Sequence, residues 1–164
     1  MFNVVLVKPQ IPQNTGTIGR ICVNLGATLH LIEPLGFDID DKAVKRAGLD
    51  YWKELDLIVW ESFDMFLKSH PIGKNSYMAT TKTDNLYFST PFQKGDFILF
   101  GSETKGIDEH ILLKHPQQCI TIPMGSKGRS LNLGVSVGVV LYDAVRQNYK
   151  GFEKITIPNT LKET

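Results

Sequence analysis

The first residues with chemical potential lie between Pro9 and Arg20, after a short apolar run. Asn14 stands at the predicted start of a helix, where free backbone N–H groups favour an anion. Arg20 falls about 200° around that helix from Ile18 and therefore points away from its apolar stripe. A guanidinium beside a helix N-terminus suits a phosphate group. An exposed arginine beside an ordinary Asn14 cap explains the same pattern, and the spacing leaves both interpretations open.

Two further loops follow apolar runs. One run ends at Gly101, which permits close approach of a ligand to the backbone, and Glu103 follows as a carboxylate that would orient a substrate group. The other ends at Pro123, and a basic, glycine-bearing loop leads to Ser130 and Asn132 at the start of a helix. Each stretch also has a purely structural explanation. The first would be a turn with a solvated glutamate, and the second would be a proline that ends a strand, followed by a helix cap.

Composition limits the classes of function. The chain has 164 residues, a mass of 18.4 kDa and a net charge of +1, which excludes nucleic-acid binding by bulk positive charge alone. From Gly125 onward six basic residues outnumber three acidic ones, which indicates a modest basic region. Two cysteines are too few for a disulfide scaffold, and His110, His115 and Cys119 lack a fourth ligand, so we predict no metal site.

Membrane and targeting signals are not expected. No apolar run approaches the roughly 20 residues that cross a bilayer, and the first residues lack a basic leader and a cleavage site. The missing G-x-G-x-x-G and Walker patterns disfavour a dinucleotide or P-loop site. We therefore expect a cytoplasmic protein without a membrane segment.

The elements that must position these loops alternate along the chain, which predicts an α/β fold with an open, mostly parallel sheet and helices on both faces. We expect a single domain over 1–164, with 151–164 as a loosely ordered tail. Sheets of this kind bind ligands beyond the carboxyl ends of their strands. The predicted strands are 3–7, 28–33, 57–60, 76–80, 97–101 and 118–122, and the predicted helices are 15–25, 63–69, 108–114 and 132–148.

The last helix is apolar on two faces. One stripe contains Leu133, Val137, Val140, Leu141 and Ala144, and the other contains Val135, Val139 and Tyr142. Gly134 and Gly138 leave room for a close neighbour. The second stripe indicates a partner subunit, although packing within the protomer's own core explains it equally well.

Taken in series, three motifs resemble the SPOUT class of RNA methyltransferases, specifically the TrmH-like 2′-O-methyltransferases. They are N-T-G-x-x-x-R over 14–20, F-G-x-E-x-x-G over 100–106, and I-P-M over 122–124 with R-S-x-N-L over 129–133. The stretch from His30 to Phe37 and the residues Ala47 to Tyr51 resemble the minimal TrmL subfamily. The resemblance covers about Asn3 to Lys150.

The resemblance implies a C-terminal deep trefoil knot, an obligate homodimer and S-adenosylmethionine as methyl donor, with S-adenosylhomocysteine as product. Arg20 would activate the ribose hydroxyl near the partner's cofactor. Beyond Arg20, the site residues that the resemblance implies fall into two groups. The polar residues around the reacting hydroxyl are Asn14, Glu103, Ser130 and Asn132. The cofactor-binding residues are Ala79, Gly101, Ile122, Met124, Ser130, Leu131 and Leu133. For RNA contacts we select Lys8, Arg46, Arg129, Tyr142 and Arg146.

The expected activity is 2′-O-methylation of cytidine or uridine at the wobble position of a tRNA. One alternative is a different tRNA position or ribosomal RNA, and another is a non-catalytic dimeric binding module of the same fold. Several residues depart from the TrmL-like pattern: Lys8, Gln10, Ser102, Lys105 and the run Gly134-Val135-Ser136. These departures leave the cofactor site intact and bear on the RNA target.

Overall fold

A computed structural model describes residues 1–39, 42, 44 and 49–152. The predicted RNA contact Arg46 lies outside these residues. Of the predicted tail, only Gly151 and Phe152 are described, and the Phe152 ring stacks on Phe2 with 5.8 Å between the ring centroids. Arg46 and the remainder of the tail stay predictions.

The described strands form one six-stranded, all-parallel sheet, as the continuous apolar runs predict. The order across the sheet is β3-β2-β1-β5-β4-β6. The chain therefore adds β2 and β3 on one side of β1 and then crosses to the other side to add the remaining strands. This reversal creates a topological switch point between β1 and β5. The strands are β1 (Asn3–Val7), β2 (Thr28–Ile32), β3 (Leu57–Trp60), β4 (Ser76–Ala79), β5 (Phe97–Phe100) and β6 (Cys119–Ile120).

Local sequence explains where the helices begin and end. Ser62, Asp108 and Asn132 each accept backbone N–H groups at a helix start, and Gly26 ends the first helix in the left-handed conformation with φ of 63°. The helices are α1 (Pro12–Leu25), α2 (Phe63–Ser69), α3 (Glu109–Lys114) and α4 (Leu133–Gln147). A 3-10 segment, Leu49–Glu54, contacts α1.

The sheet has an apolar core on each face, because successive strand residues point to opposite sides. Val4 and Leu6 of β1 lie in the cluster formed with α1 and α4, whereas Val5 and Val7 lie in the cluster formed with α2 and α3. None of the described helices is both long and apolar enough to cross a membrane.

Helix α4 divides its two faces as the sequence predicts. Its first apolar stripe is buried, whereas Val135 and Tyr142 of the second are 51% and 52% exposed. The close neighbour of the glycines lies within the protomer. A Cβ added at Gly134 would lie 3.5 Å from Thr17 Cγ2, and one at Gly138 would lie 3.6 Å from Ile21 Cδ1, both on α1. The glycines therefore allow α4 to pack closely on α1. The second apolar stripe is then the one feature of α4 left without a packing partner among the described residues.

Candidate active site

A cleft of about 670 Å³ opens at the carboxyl ends of β4, β5 and β6. The loops after these strands form its walls, together with the first turns of α1 and α4. This is the edge where an open parallel sheet is expected to bind a ligand.

The structure brings all seven predicted cofactor residues into the wall of this one cleft. They are Ala79, Gly101, Ile122, Met124, Ser130, Leu131 and Leu133. The set combines aliphatic side chains with loop backbone and one hydroxyl, which suits a molecule with a flat apolar base and polar ends. Its volume also lies in the range of small-molecule sites. The residues that line the cleft therefore fit a nucleoside-type cofactor such as S-adenosylmethionine.

Gly101 is required by the chain's own backbone. A Cβ there would lie 1.9 Å from the carbonyl carbon of Gly106 and 2.2 Å from the backbone N of Ile107. The loop folds back on itself at this point, with the Gly106 N–H donating to the Ser102 carbonyl at 2.9 Å. The sequence predicted close approach of a ligand at Gly101, and the close approach observed is that of the loop itself.

Glu103 connects this loop to the start of α1. Its Oε2 accepts the backbone N–H of Gln10 at 2.8 Å, and its Oε1 accepts the backbone N–H of Ile11 at 3.1 Å. Oε1 also accepts the Asn14 amide at 3.0 Å. Three donors on one carboxylate make a charge-assisted clamp that holds the entry to α1 against the cleft.

Asn14 has a different role from the one predicted. The sequence indicates an N-cap at this residue, but α1 begins at Pro12 with Ile11 in the cap position. The first turn of a helix tolerates a proline such as Pro12, because the backbone N–H that proline lacks would have no partner within the helix there. The buried Asn14 side chain instead bridges Glu103 and Asn132, with its Oδ1 accepting the Asn132 amide at 3.0 Å.

Asn132 completes this network and caps α4, as predicted. Its Oδ1 accepts the backbone N–H groups of Gly134 at 2.9 Å and Val135 at 3.3 Å. Hydrogen bonds therefore link the loop after β5, the start of α1 and the start of α4 in one chain. Ser130 is exposed and lines the cleft beside this network.

Arg20 lies outside the cleft wall of its own protomer. It is half-buried on α1, and its Cζ lies 5.6 Å from the centre of the Tyr51 ring. Its Nε is buried and has no hydrogen-bond partner in the part of the chain that the structure describes. The structure thus brings four of the five predicted polar residues to one cleft and leaves the arginine apart from them.

The described RNA-contact candidates, Lys8, Arg129, Tyr142 and Arg146, are all exposed. Lys8 follows β1 with a positive φ of 54°, a conformation uncommon outside glycine. Arg146 donates its Nε–H to Asp143 Oδ1 at 2.8 Å, which partly neutralises its charge.

Sequence reasoning assigned no role in the site to two cations of the cleft wall, Lys82 and Lys105. Lys82 follows β4 and pairs with Glu109 at 2.8 Å. Both follow strands whose carboxyl ends form the cleft, and that position is the signal that would have found them. Among the described residues, no group of three or more His, Cys, Asp or Glu side chains is placed to hold a metal ion.

Comparison with known proteins agrees with this geometry. Residues 1–142 match the model of the SpoU rRNA Methylase family. A tRNA (cytidine(34)-2′-O)-methyltransferase of Burkholderia cenocepacia (strain HI2424) is 44% identical over 155 residues, which are 93% of this chain and 98% of the relative.

Solved structures share the fold. One, described as "Structural insights into the 2-OH methylation of C/U34 on tRNA", is 41% identical with a TM-score of 0.86, covering 92% of this chain and 97% of the other. The SpoU methyltransferase AviRb from Streptomyces viridochromogenes in complex with AdoMet is 23% identical with a TM-score of 0.78. That match covers 90% of this chain and 57% of the other and concerns the fold alone. The family resemblance carried by the three motifs is confirmed, and the chain belongs to the SpoU methylase family.

Proposed function

We propose that this protein is an S-adenosylmethionine-dependent tRNA 2′-O-methyltransferase that modifies cytidine or uridine at the wobble nucleotide. The observation that carries the proposal is the single cleft in which Asn14, Glu103 and Asn132 meet the seven cofactor-type residues. The names of the similar proteins, which specify nucleotide 34 of tRNA, support the substrate.

The cofactor would lie against the backbone and side chains around Gly101, Ile122 and Leu133. When bound, its sulfonium supplies an activated methyl group without a metal. The ribose hydroxyl is a poor nucleophile until its developing negative charge is stabilised. Arg20 provides that stabilisation and holds the adjacent phosphate. A guanidinium is a poor general base, so we assign Arg20 electrostatic stabilisation and positioning rather than proton abstraction, and the hydroxyl proton passes to solvent water as the oxygen takes the methyl group.

Glu103 positions the site in this proposal. Its carboxylate already accepts hydrogen bonds from Gln10, Ile11 and Asn14, so it is engaged as an acceptor by the protein itself. Asn132 then orients Asn14 and the first turn of α4 over the cleft. Ser130 is an exposed polar side chain of the cleft wall and would meet the substrate.

A homodimer completes the site. Arg20 lies outside the cleft of its own protomer. In a symmetric dimer, each protomer would supply its Arg20 to the cleft of the other. The exposed stripe of α4, with Val135 and Tyr142, supplies an apolar contact surface, and Ile11 and Leu131 of the cleft wall are exposed as well.

Three further features belong to the proposal. The C-terminal segment is threaded through a loop to form the trefoil knot of the SPOUT class, the chain forms one domain, and the enzyme works in the cytoplasm. Exposed Lys8, Arg129, Tyr142 and Arg146, with Arg46, contact the tRNA.

The direct test is incubation of the purified enzyme with total tRNA and methyl-labelled cofactor, followed by mapping of the label. We expect label on the ribose of nucleotide 34 of a subset of tRNAs. Ribosomal RNA incubated in parallel should stay unlabelled. Label on a base or at another ribose would contradict the proposed target, and no transfer to any RNA would favour a non-catalytic binding module.

A further inference from the structure

The guanidinium of Arg20 lies over an aromatic ring. Its Cζ is 5.6 Å from the centre of the Tyr51 ring, within the range of a cation–π contact. The Arg20 Nε is buried with no hydrogen-bond partner in the described part of the chain. Within the described part of the chain, the Tyr51 ring is therefore the contact that sets where the charged group lies.

The 3-10 segment that carries Tyr51 is anchored to α1 one residue before Arg20. A Cβ added at Gly19 would lie 3.0 Å from Cζ3 of Trp52 and 3.2 Å from Cδ2 of Leu55. These side chains therefore rest directly on the glycine. Their packing fixes the segment on the helix and leaves the Tyr51 ring, 45% exposed, at the guanidinium.

We propose that Tyr51 is a positioning residue for methyl transfer, because its ring holds the Arg20 guanidinium in the orientation that meets the ribose and phosphate. The inference rests on the proposed role of Arg20 in that reaction.

The physical argument concerns the freedom of the arginine side chain. A long side chain without a hydrogen-bond partner samples several rotamers, and each one moves the charge relative to the reacting oxygen. A contact through the π face restricts the guanidinium while leaving its terminal N–H groups free to donate to the substrate. Small losses of alignment lower the rate of a positioned reaction.

A matched pair of substitutions tests the ring. Tyr51→Phe keeps the π face, whereas Tyr51→Leu keeps apolar bulk and removes it. We expect kcat for tRNA methylation to fall about fivefold in Tyr51→Leu and to stay within about twofold of wild type in Tyr51→Phe. The KM for S-adenosylmethionine and the thermal midpoint should not change. Tyr149→Leu is the control, because Tyr149 is similarly exposed, at 48%, on a different segment.

A double substitution shows whether the ring acts through the arginine. In an Arg20→Ala background, Tyr51→Leu should cause no further loss of kcat. An additive loss, or a rise in the KM for tRNA at unchanged kcat, would mean that the ring contacts the RNA itself and would overturn the inference. Equal kcat values for Tyr51→Leu and wild type would overturn it as well.

A readout without activity separates this inference from the proposed function. The Arg20 Nε–H resonance in ¹⁵N NMR should shift in Tyr51→Leu and stay close to wild type in Tyr51→Phe. If it is the same in all three proteins, the inference fails even when methylation is observed. If it shifts as expected but Arg20→Ala is as active as wild type, the proposed role of Arg20 fails and the positioning role of Tyr51 in methyl transfer fails with it.

Discussion

Arg20 carries the proposed charge stabilisation, so its replacement is the first prediction at the residue scale. Arg20→Ala should lower the rate of methyl transfer by about 10²–10³ while leaving the thermal midpoint nearly unchanged. Stability should survive because the buried Nε makes no hydrogen bond within the described residues. Arg20→Lys should restore little, since an ammonium lacks the planar fork. Single-turnover methylation at saturating cofactor measures the effect, and activity within a few-fold of wild type in Arg20→Ala would contradict the assignment.

Glu103→Gln is the second prediction at this scale. Glu103 accepts three N–H donors, and a glutamine would offer one oxygen while turning an NH₂ group toward the others. A donor left facing a donor costs about 1–3 kcal/mol. We expect a loss of that size in urea unfolding, together with weaker cofactor binding in calorimetry. Glu109→Gln is the control, because Glu109 makes an exposed ion pair with Lys82. Equal destabilisation by both substitutions would argue against the clamp.

The loops of the cleft could be predicted because they follow strand ends, and the motifs that resemble the SPOUT class supplied the individual residues. The role of Asn14 could not, because its partners lie far away in sequence. Glu103 is 89 residues from Asn14, and Asn132 is 118 residues from it. The residue type and position favour a helix cap, and only the tertiary structure reveals that the side chain is used as a bridge.

At the scale of elements, the strands and helices agree closely with the predicted ones. Continuous apolar runs of this length are typical of parallel strands, although edge strand β3 leaves Ile58 40% and Val59 42% exposed. Ser62, Asp108 and Asn132 mark helix starts. The first helix begins three residues earlier than predicted, at Pro12, because a proline is accommodated in the first turn. The order of strands across the sheet depends on long-range pairing, which local pattern does not determine.

Strand β2 contains a buried histidine that couples stability to pH. His30 Nδ1 accepts the Trp60 indole N–H at 3.1 Å, and its Nε2 lies 3.3 Å from Asn3 Oδ1. Because an indole only donates, the imidazole is neutral with its proton on Nε2. Burial, and next the charge of His70, lower the pKa of His30 from 6.5 to about 4, while Asp56 opposes the shift.

The third prediction follows from the sign of this shift. Since the pKa is lower in the folded protein, His30 supports folding fully above pH 6.5 and withdraws that support as the pH falls toward 4. The loss should be about 3 kcal/mol across that window. Urea unfolding at several pH values measures it, with His30→Gln as comparison, because glutamine keeps an acceptor for Trp60. Parallel pH dependences for both proteins would contradict the prediction.

At the scale of the whole molecule, the exposed stripe of α4 predicts the assembly state. Val135 is 51% exposed in the protomer, so Val135→Asp should leave the fold intact. In a dimer the same carboxylate would be buried without a partner and would drive dissociation. Light scattering at micromolar concentration should show a dimer for wild type and a monomer for this variant. Leu113→Asp, at a side chain 74% exposed on α3, should remain dimeric. A monomeric wild-type protein would refute the assembly.

The last prediction asks which protomer supplies the arginine to each cleft. The Arg20→Ala variant lacks the arginine but keeps an intact cleft. The Ala79→Trp variant keeps the arginine, but its tryptophan occupies the cleft that Ala79 lines. If Arg20 acts in its partner's cleft, a mixed dimer has one site with both intact parts. Random pairing of two inactive variants then restores about a quarter of wild-type activity. Co-expression followed by methylation assays measures this recovery, once calorimetry shows that Ala79→Trp has lost cofactor binding and circular dichroism shows that it is folded. No recovery in a mixture that light scattering shows to be dimeric would mean that each arginine serves its own protomer.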